Sequence, residues 1–153
     1  MKSILDPSDY DLTVHRISTL PANAKRLWGK MTINEMIVHI SDPLRDILGI
    51  RITQPVTPPE MWPKLIAKVL TESDWAHNQR TFSPYLQGEG GGGTRPKGFE
   101  EDKTALLQLV SKFYKTTPDF VPHPHAGLGV LTREQAGLYI WKHLDHHLRQ
   151  FDC

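Results

Sequence analysis

The chain has 153 residues, of which 39% are hydrophobic and 23% charged, a length and composition that suit one globular domain with its own core. Eighteen Lys and Arg residues nearly balance seventeen Asp and Glu residues without any run of like charge, so neither nucleic acid nor a membrane is an expected partner. No apolar stretch is long enough to span a bilayer, the first residues carry no apolar signal core, and the single cysteine, Cys153, allows no intramolecular disulfide. We therefore expect a cytoplasmic protein.

Two long helices are predicted in the first third of the chain. Asp6, followed by a proline, has the character of an N-cap, which predicts a helix over residues 6–20. Thr32 and Glu35 have the spacing of a capping box, and apolar residues follow at helical intervals. This pattern predicts a second helix over residues 32–48.

The middle of the chain is predicted to be less regular. Three prolines in segment 53–59 indicate a loop, and an amphipathic stretch after it predicts a shorter helix over residues 59–72. Residues 71–98 are predicted to be irregular, with a flexible glycine-rich stretch at 88–93. A phosphate-binding loop is the alternative for this stretch, but no strand precedes it and the Lys-Ser/Thr ending of such loops is missing.

The last third repeats the helical pattern. An amphipathic segment predicts a helix over residues 99–115, and the Pro- and Gly-containing segment 116–129 predicts a loop. Thr132 and Gln135 then form a second capping box, which predicts a final helix over residues 132–151.

The order of these elements predicts the fold class. Four long helices, with one short helix between the second and third of them, imply an all-α bundle. No internal repeat and no second domain boundary is evident, so residues 1–153 are expected to form a single domain.

The final predicted helix carries three histidines, and their spacing indicates which of them face inward. With an advance of about 100° per residue and Leu144 at the centre of the apolar face, His147 lies about 60° and His143 about 100° to the same side. His143 and His147 therefore stack at i and i+4 along one edge of the buried face. His146 falls at about 160° from the centre, so we expect it to meet solvent.

A third inward histidine, His39, lies beside the apolar face of the second predicted helix. Facing helices of a bundle core are where metal sites are built, and three neutral imidazoles suit zinc, nickel or a similar divalent ion. Three protein ligands also leave coordination positions open, as in catalytic sites. The sequence thus predicts His39, His143 and His147 as metal ligands. Two alternatives stay open: a merely structural histidine pair at a helix edge, and a site completed by His146 instead of His147.

Two stretches of the chain resemble the DinB-like superfamily of four-helix metalloproteins. WGKMTINEMIVHISD resembles the second helix of that family, whose ligand histidine maps onto His39. HLDHHLRQF resembles the final helix, whose H-x-x-x-H pair maps onto His143 and His147. HPHAGLGVLTREQ and KHLDHHLRQF are similar to a branch of that superfamily whose function is uncharacterised.

This resemblance implies both a fold and a range of functions. It implies an up-down-down-up four-helix bundle, a divalent metal held by three histidines, and frequently a homodimer. Members with known activity include metal-dependent thiol transferases and proteins classed as hydrolases. The expected function is therefore that of a small metalloenzyme with a small-molecule substrate, such as a low-molecular-weight thiol. The alternative is a non-catalytic binding or regulatory bundle with a structural or vestigial metal.

A few further residues are weaker candidates for the site. Asp42 and Asp145 lie near the ligand histidines in sequence and could orient an imidazole, although a surface carboxylate is the favoured interpretation of Asp145. His123 and His125 lie in a Pro-rich loop from which they could reach the site, but an exposed position is the favoured interpretation for both. The tryptophans are interpreted as core or groove aromatics; these are Trp28, Trp62, Trp75 and Trp141.

Overall fold

The computed structural model describes residues 1–153 as an all-α protein. Its five α-helices are α1 (Pro7–Thr19), α2 (Ile33–Ile47), α3 (Trp62–Thr71), α4 (Phe99–Tyr114) and α5 (Arg133–Gln150). Two 3₁₀ turns, Pro59–Met61 and Ser83–Tyr85, complete the regular structure. No strand is present, and the only β-type pairing is an isolated bridge between His125 and Gly129. None of the helices combines the length and apolar character that a membrane crossing requires.

All five predicted helices are confirmed, and the bounds of the four long ones agree with prediction to within one residue. The agreement has a physical cause, because both predicted capping boxes are present. The side chain of Thr32 accepts from the backbone N–H of Glu35, and the Glu35 carboxylate accepts from the N–H of Thr32 in return. Thr132 and Gln135 make the same reciprocal pair at the start of α5. Each pair satisfies backbone donors that a helix start otherwise leaves without partners.

The four long helices contact one another in a cycle around a common core. α1 contacts α4, α4 contacts α2, α2 contacts α5, and α5 contacts α1, while α3 lies against the outside of α5. The core side chains of α2 and α4 are almost all aliphatic or aromatic, and they include Met36, Ile37, Ile40, Leu44, Ile47, Leu106, Val110 and Phe113. Full burial of such a side chain contributes about 1.5–3 kcal/mol, so packing rather than propensity holds α2 in place.

The long connection between α3 and α4 is tied to the end of α2. Arg51 donates to the carbonyl oxygens of Pro84 and Gly92, both at 2.8 Å. The carboxylate of Asp42, in α2, accepts from both the backbone N–H and the hydroxyl of Thr94. These contacts place the connection beside α2, and a bond from Arg149 to Asp74 joins it to α5. The connection forms one wall of the site described next.

Candidate metal centre

Three buried histidine rings from two helices meet at one point. His39 comes from α2, whereas His143 and His147 come from consecutive turns of α5. The potential ligand nitrogens of the three rings all lie within 4.8 Å of one another, and the Nε2 atoms of His39 and His143 are 3.3 Å apart. The rings stand edge to face, with centroids between 4.7 and 5.1 Å apart. The predicted trio is therefore brought together.

This spacing suits a small divalent ion. In a tetrahedral site with metal–nitrogen distances of about 2.0–2.1 Å, two ligand nitrogens lie about 3.4 Å apart. The Nε2 atoms of His39 and His143 already have nearly this separation, at 3.3 Å. All the potential ligand nitrogens lie within 4.8 Å of one another, so the third ring is also close to such a site. The donor set can hold a divalent ion.

Hydrogen bonds fix which nitrogen is free in two of the rings. Nδ1 of His39 is 2.9 Å from the carbonyl oxygen of Tyr85, which can only accept, so Nδ1 carries the proton and Nε2 keeps its lone pair. Nδ1 of His147 is 2.9 Å from Oε1 of Gln150, whose amide nitrogen donates to the carbonyl of Trp28. That second bond sets the orientation of the Gln150 amide. His147 therefore also donates from Nδ1 and keeps the lone pair on Nε2.

The surroundings keep the three rings neutral. Burial lowers the pKa of His39, although the carbonyl of Tyr85 partly opposes this shift. Burial also holds the pKa values of His143 and His147 well below the ordinary range, and the neighbouring imidazoles lower them further. Neutral imidazole is the form that binds a metal ion, so no proton has to be displaced at neutral pH.

The three histidines form part of the wall of a cavity of about 570 Å³. Aromatic rings lie beside the histidines: the ring of Tyr139 stacks on His143 at 5.5 Å, and the ring of Trp75 is 6.0 Å from the same histidine. Phe82 and Trp28 also line this cavity. Its volume lies within the range of small-molecule sites, about 300–1,000 Å³. A small molecule can therefore bind beside the histidines.

The prediction that His146 meets solvent is wrong, because only 8% of this residue is exposed. Trp28 and Trp75 pack against its ring at 5.9 and 5.8 Å, and His77 stacks on Trp28 at 3.8 Å. The angle around α5 gives the direction of His146 relative to the core, but the connection after α3 covers this outer side of the helix. His146 is nevertheless not one of the three converging rings.

Neither carboxylate considered as an orienting group contacts a ring of the trio. Asp42 is fully buried, where it binds two arginines and Thr94 and so anchors the connection before α4. Asp145 pairs with one arginine of α1 and one of α5. The orienting acceptors are instead the backbone carbonyl of Tyr85 and the side chain of Gln150. Gln150 could have been predicted from the sequence, since it lies three residues after His147 and so on the same face of the helix. The carbonyl of Tyr85 could not, because a backbone group has no sequence pattern.

The interpretation of His125 as an exposed loop residue is also wrong, since only 1% of it is exposed. Its Nδ1 accepts from the backbone N–H groups two and three residues further along the loop. Its Nε2 lies 3.0 Å from the hydroxyl of Tyr139, and it does not reach the trio. Sequence analysis missed Tyr139, although it stands one helical turn before His143 and extends the His143–His147 row. His123, in the same loop, is partly buried and also lies outside the trio.

Comparison with known families gives one match. Comparison with curated proteins and with solved structures gives none. Residues 93–152, less than half of the chain, match the model of a family described as a protein of unknown function, DUF1569. The matched segment contains α4 and α5, and therefore His143 and His147 but not His39. Over this segment the chain is similar to a family whose description assigns no activity, so a function has to be argued from the site.

Proposed function

We propose that the protein binds a divalent metal ion through His39, His143 and His147. The observation that carries the proposal is the convergence of three buried, neutral imidazoles whose inward nitrogens meet only one another. Two of the rings donate their other N–H to a fixed acceptor, which is the arrangement that ligand histidines almost always have. Zinc or nickel is the expected ion, because imidazole nitrogen suits both.

The site is proposed to be catalytic, with thiol transfer or hydrolysis as the reaction class. A bound divalent ion with an open coordination position supplies Lewis acidity and lowers the pKa of a coordinated water or thiol. The chain itself contributes the cavity beside the histidines, which has room for a small molecule such as a low-molecular-weight thiol. The aromatic side chains of Trp75 and Tyr139 exclude water from the face of His143.

The fold is proposed to be a DinB-like up-down-down-up bundle that pairs as a homodimer. The cycle of contacts among α1, α4, α2 and α5 supports a four-helix bundle, and so does the short α3 between the second and third long helices. The order of the histidines, one on α2 and two on the last helix, agrees with the same family. Light scattering at micromolar protein concentration measures the assembly, and the mass of a single chain would contradict the dimer.

Metal binding is tested by titrating chelator-treated protein with Zn²⁺ and Ni²⁺ against a chromophoric chelator. We expect one ion per chain in wild type and none after His143→Ala, whereas His15→Ala serves as the control because His15 is exposed on α1. An unchanged affinity in His143→Ala would contradict the proposed site.

Catalysis is tested separately with the loaded protein. It is offered pairs of a small thiol and an electrophile, and then simple esters and amides. Activity that is lost on chelation and restored by the metal supports the enzyme. Tight binding without any turnover across these substrates would favour the alternative, a non-catalytic bundle with a structural ion.

A further inference from the structure

His125 lies in the loop between α4 and α5, and its neighbours fix its tautomer. Its Nδ1 is 3.0 Å from the backbone nitrogens of both Gly127 and Leu128. A backbone N–H can only donate, so Nδ1 must present its lone pair. Burial lowers the pKa of His125 to about 3, so the ring is neutral at physiological pH and its one proton is on Nε2.

The proton on Nε2 decides the direction of the next hydrogen bond. Nε2 lies 3.0 Å from the hydroxyl oxygen of Tyr139, so His125 donates and the hydroxyl accepts. The phenolic proton of Tyr139 must then point elsewhere, and the contact with His125 is the one hydrogen bond that this hydroxyl makes within the protein. A phenol has an ordinary pKa of about 10, so the hydroxyl keeps its proton at neutral pH.

Tyr85, a second tyrosine on the same cavity, shows the contrasting case. Its hydroxyl donates to the carboxylate of Asp46 at 2.8 Å and accepts from the backbone N–H of Ala126 at 3.0 Å. Both hydrogen-bonding functions of Tyr85 are thus used within the protein. Tyr139 is the cavity tyrosine whose donor is free.

The position of Tyr139 relates this free donor to the candidate metal centre. Tyr139 lies one helical turn before His143 on α5, and the two rings stack with an angle of 17° between their planes. It lines the same cavity as the three histidines, and 6% of the residue remains exposed. A molecule that fills the cavity next to His143 therefore lies beside Tyr139 as well.

We infer that the Tyr139 hydroxyl donates a hydrogen bond to a carboxylate or carbonyl oxygen of the small molecule that binds in this cavity, and that His125 positions that donor. The inference rests on the proposed function, because the ligand is expected to approach the metal ion through the same cavity. It also names a substrate class. A hydrogen-bond donor beside the histidines selects molecules that place an acceptor oxygen there.

The test uses acetate as the probe and the visible spectrum of Co²⁺-loaded protein as the readout. Wild type is compared with Tyr139→Phe and with the control Tyr114→Phe, whose ring stacks on Tyr10 outside the cavity. We expect Co²⁺ to bind all three proteins alike. We expect acetate to bind Tyr139→Phe about 10-fold more weakly than the other two, because a hydrogen bond to a charged group is lost. Equal acetate affinity in wild type and Tyr139→Phe, or no acetate binding to wild type, overturns the inference.

A second measurement separates this inference from the metal proposal and does not depend on how the variant folds. Long-range ¹H–¹⁵N spectra of metal-free wild type, labelled at histidine, report the tautomer of His125. A proton on Nε2 is expected, and a proton on Nδ1 would reverse the donor direction and overturn the inference. If Co²⁺ does not bind wild type, the proposed function fails. An acetate titration of metal-free protein, followed by the ¹³C shift of Tyr139 Cζ, then decides the inference: a saturable shift supports it and no shift overturns it.

Discussion

The three histidines of the candidate metal centre and the loop histidine His125 are all buried, yet the partners of their ring nitrogens differ. Exposure is 1% for His125 and between 3% and 9% for His39, His143 and His147, and burial lowers the pKa of all four. Both nitrogens of His125 are bonded to other parts of the protein. The inward nitrogens of the trio meet only one another. Burial and a lowered pKa are therefore common to these four histidines, and the partners of their ring nitrogens are what differ.

The difference follows from where each histidine stands. His125 lies in a loop whose backbone N–H groups are free, and two of them donate to its ring. His39, His143 and His147 lie inside helices, where the backbone N–H groups are already bonded to carbonyls four residues earlier. A helical imidazole therefore has few local donors, and it depends on another helix, a side chain or an ion for its second partner.

The largest expected effect is the loss of metal binding when a ring of the trio is removed. His147→Ala leaves two protein ligands, so its Zn²⁺ affinity should fall by more than the roughly 10- to 100-fold that loss of an orienting partner costs. Competition against a chromophoric chelator measures this fall. If His147→Ala binds Zn²⁺ as tightly as wild type does, His147 is not a ligand and the three histidines do not form one metal site.

The corresponding change at His125 should act on stability instead. His125→Ala removes the partner of two backbone N–H groups and of the Tyr139 hydroxyl, all of them buried. Unsatisfied buried groups cost about 1–3 kcal/mol each, so the free energy of unfolding should fall by on the order of 3 kcal/mol. Urea denaturation measures the change, with the exposed His15→Ala as control. If His125→Ala lowers the free energy of Zn²⁺ binding by more than the free energy of unfolding, His125 is part of the metal site.

Acidification should also destabilise the metal-free protein. His125 has a pKa of about 3 when folded, against 6.5 when unfolded, so below pH 6.5 the unfolded chain binds more protons. The contribution of neutral His125 to the free energy of unfolding is therefore complete above pH 6.5 and is lost as the pH falls toward 3. Between pH 7 and pH 5 this group alone should remove about 2 kcal/mol from the free energy of unfolding. Urea denaturation of wild type and His125→Ala at the two pH values checks this, and the same pH dependence in both proteins would contradict the lowered pKa of His125.

A smaller effect is expected at the residue that orients His147. Gln150→Ala removes the acceptor for Nδ1 of His147 and also a hydrogen bond to the carbonyl of Trp28. The Zn²⁺ affinity should fall by about 10-fold, because one of the three rings loses its orientation. Gln150→Glu keeps an acceptor and should recover part of the affinity. An unchanged affinity in Gln150→Ala would mean that ring packing alone orients His147.

The smallest effect on metal affinity is expected at His146. This ring lies between Trp28 and Trp75 and is not one of the converging three. Zn²⁺ affinity in His146→Ala should stay within about 3-fold of wild type, less than the loss expected for an orienting partner. If His146→Ala abolishes Zn²⁺ binding and His147→Ala does not, then His146, and not His147, is the second ligand on α5.

Much of the fold and part of the site could be predicted from the sequence, because both depend on local patterns. Two capping boxes define the starts of α2 and α5, and helical periodicity places His143 and His147 on one edge. The convergence with His39 was predicted from its place beside the apolar face of α2, and the family resemblance supported it, although no local rule places α2 beside α5.

The wrong predictions share a physical cause, which is long-range packing of irregular segments. His146 is buried by Trp28 and Trp75, which come from connections whose path has no periodic signal. His125 is buried because backbone amides of its own loop and a tyrosine of the next helix bind its ring. These partners leave no signal in the sequence, so an exposed position was predicted. Neither kind of contact can be foreseen from spacing along the chain.

The separation of His39 from His143 along the chain means that a bound ion would also stabilise the fold by cross-linking it. The two residues are 104 positions apart, so an ion that joins them closes most of the chain into a loop. Closing a loop removes conformational entropy from the unfolded chain, and a covalent cross-link of about 100 residues is assigned about 4.7 kcal/mol on this basis. An ion that stays bound would act as a reversible cross-link between α2 and α5. Amide hydrogens of α2 and α5 should then exchange together when the ion is bound.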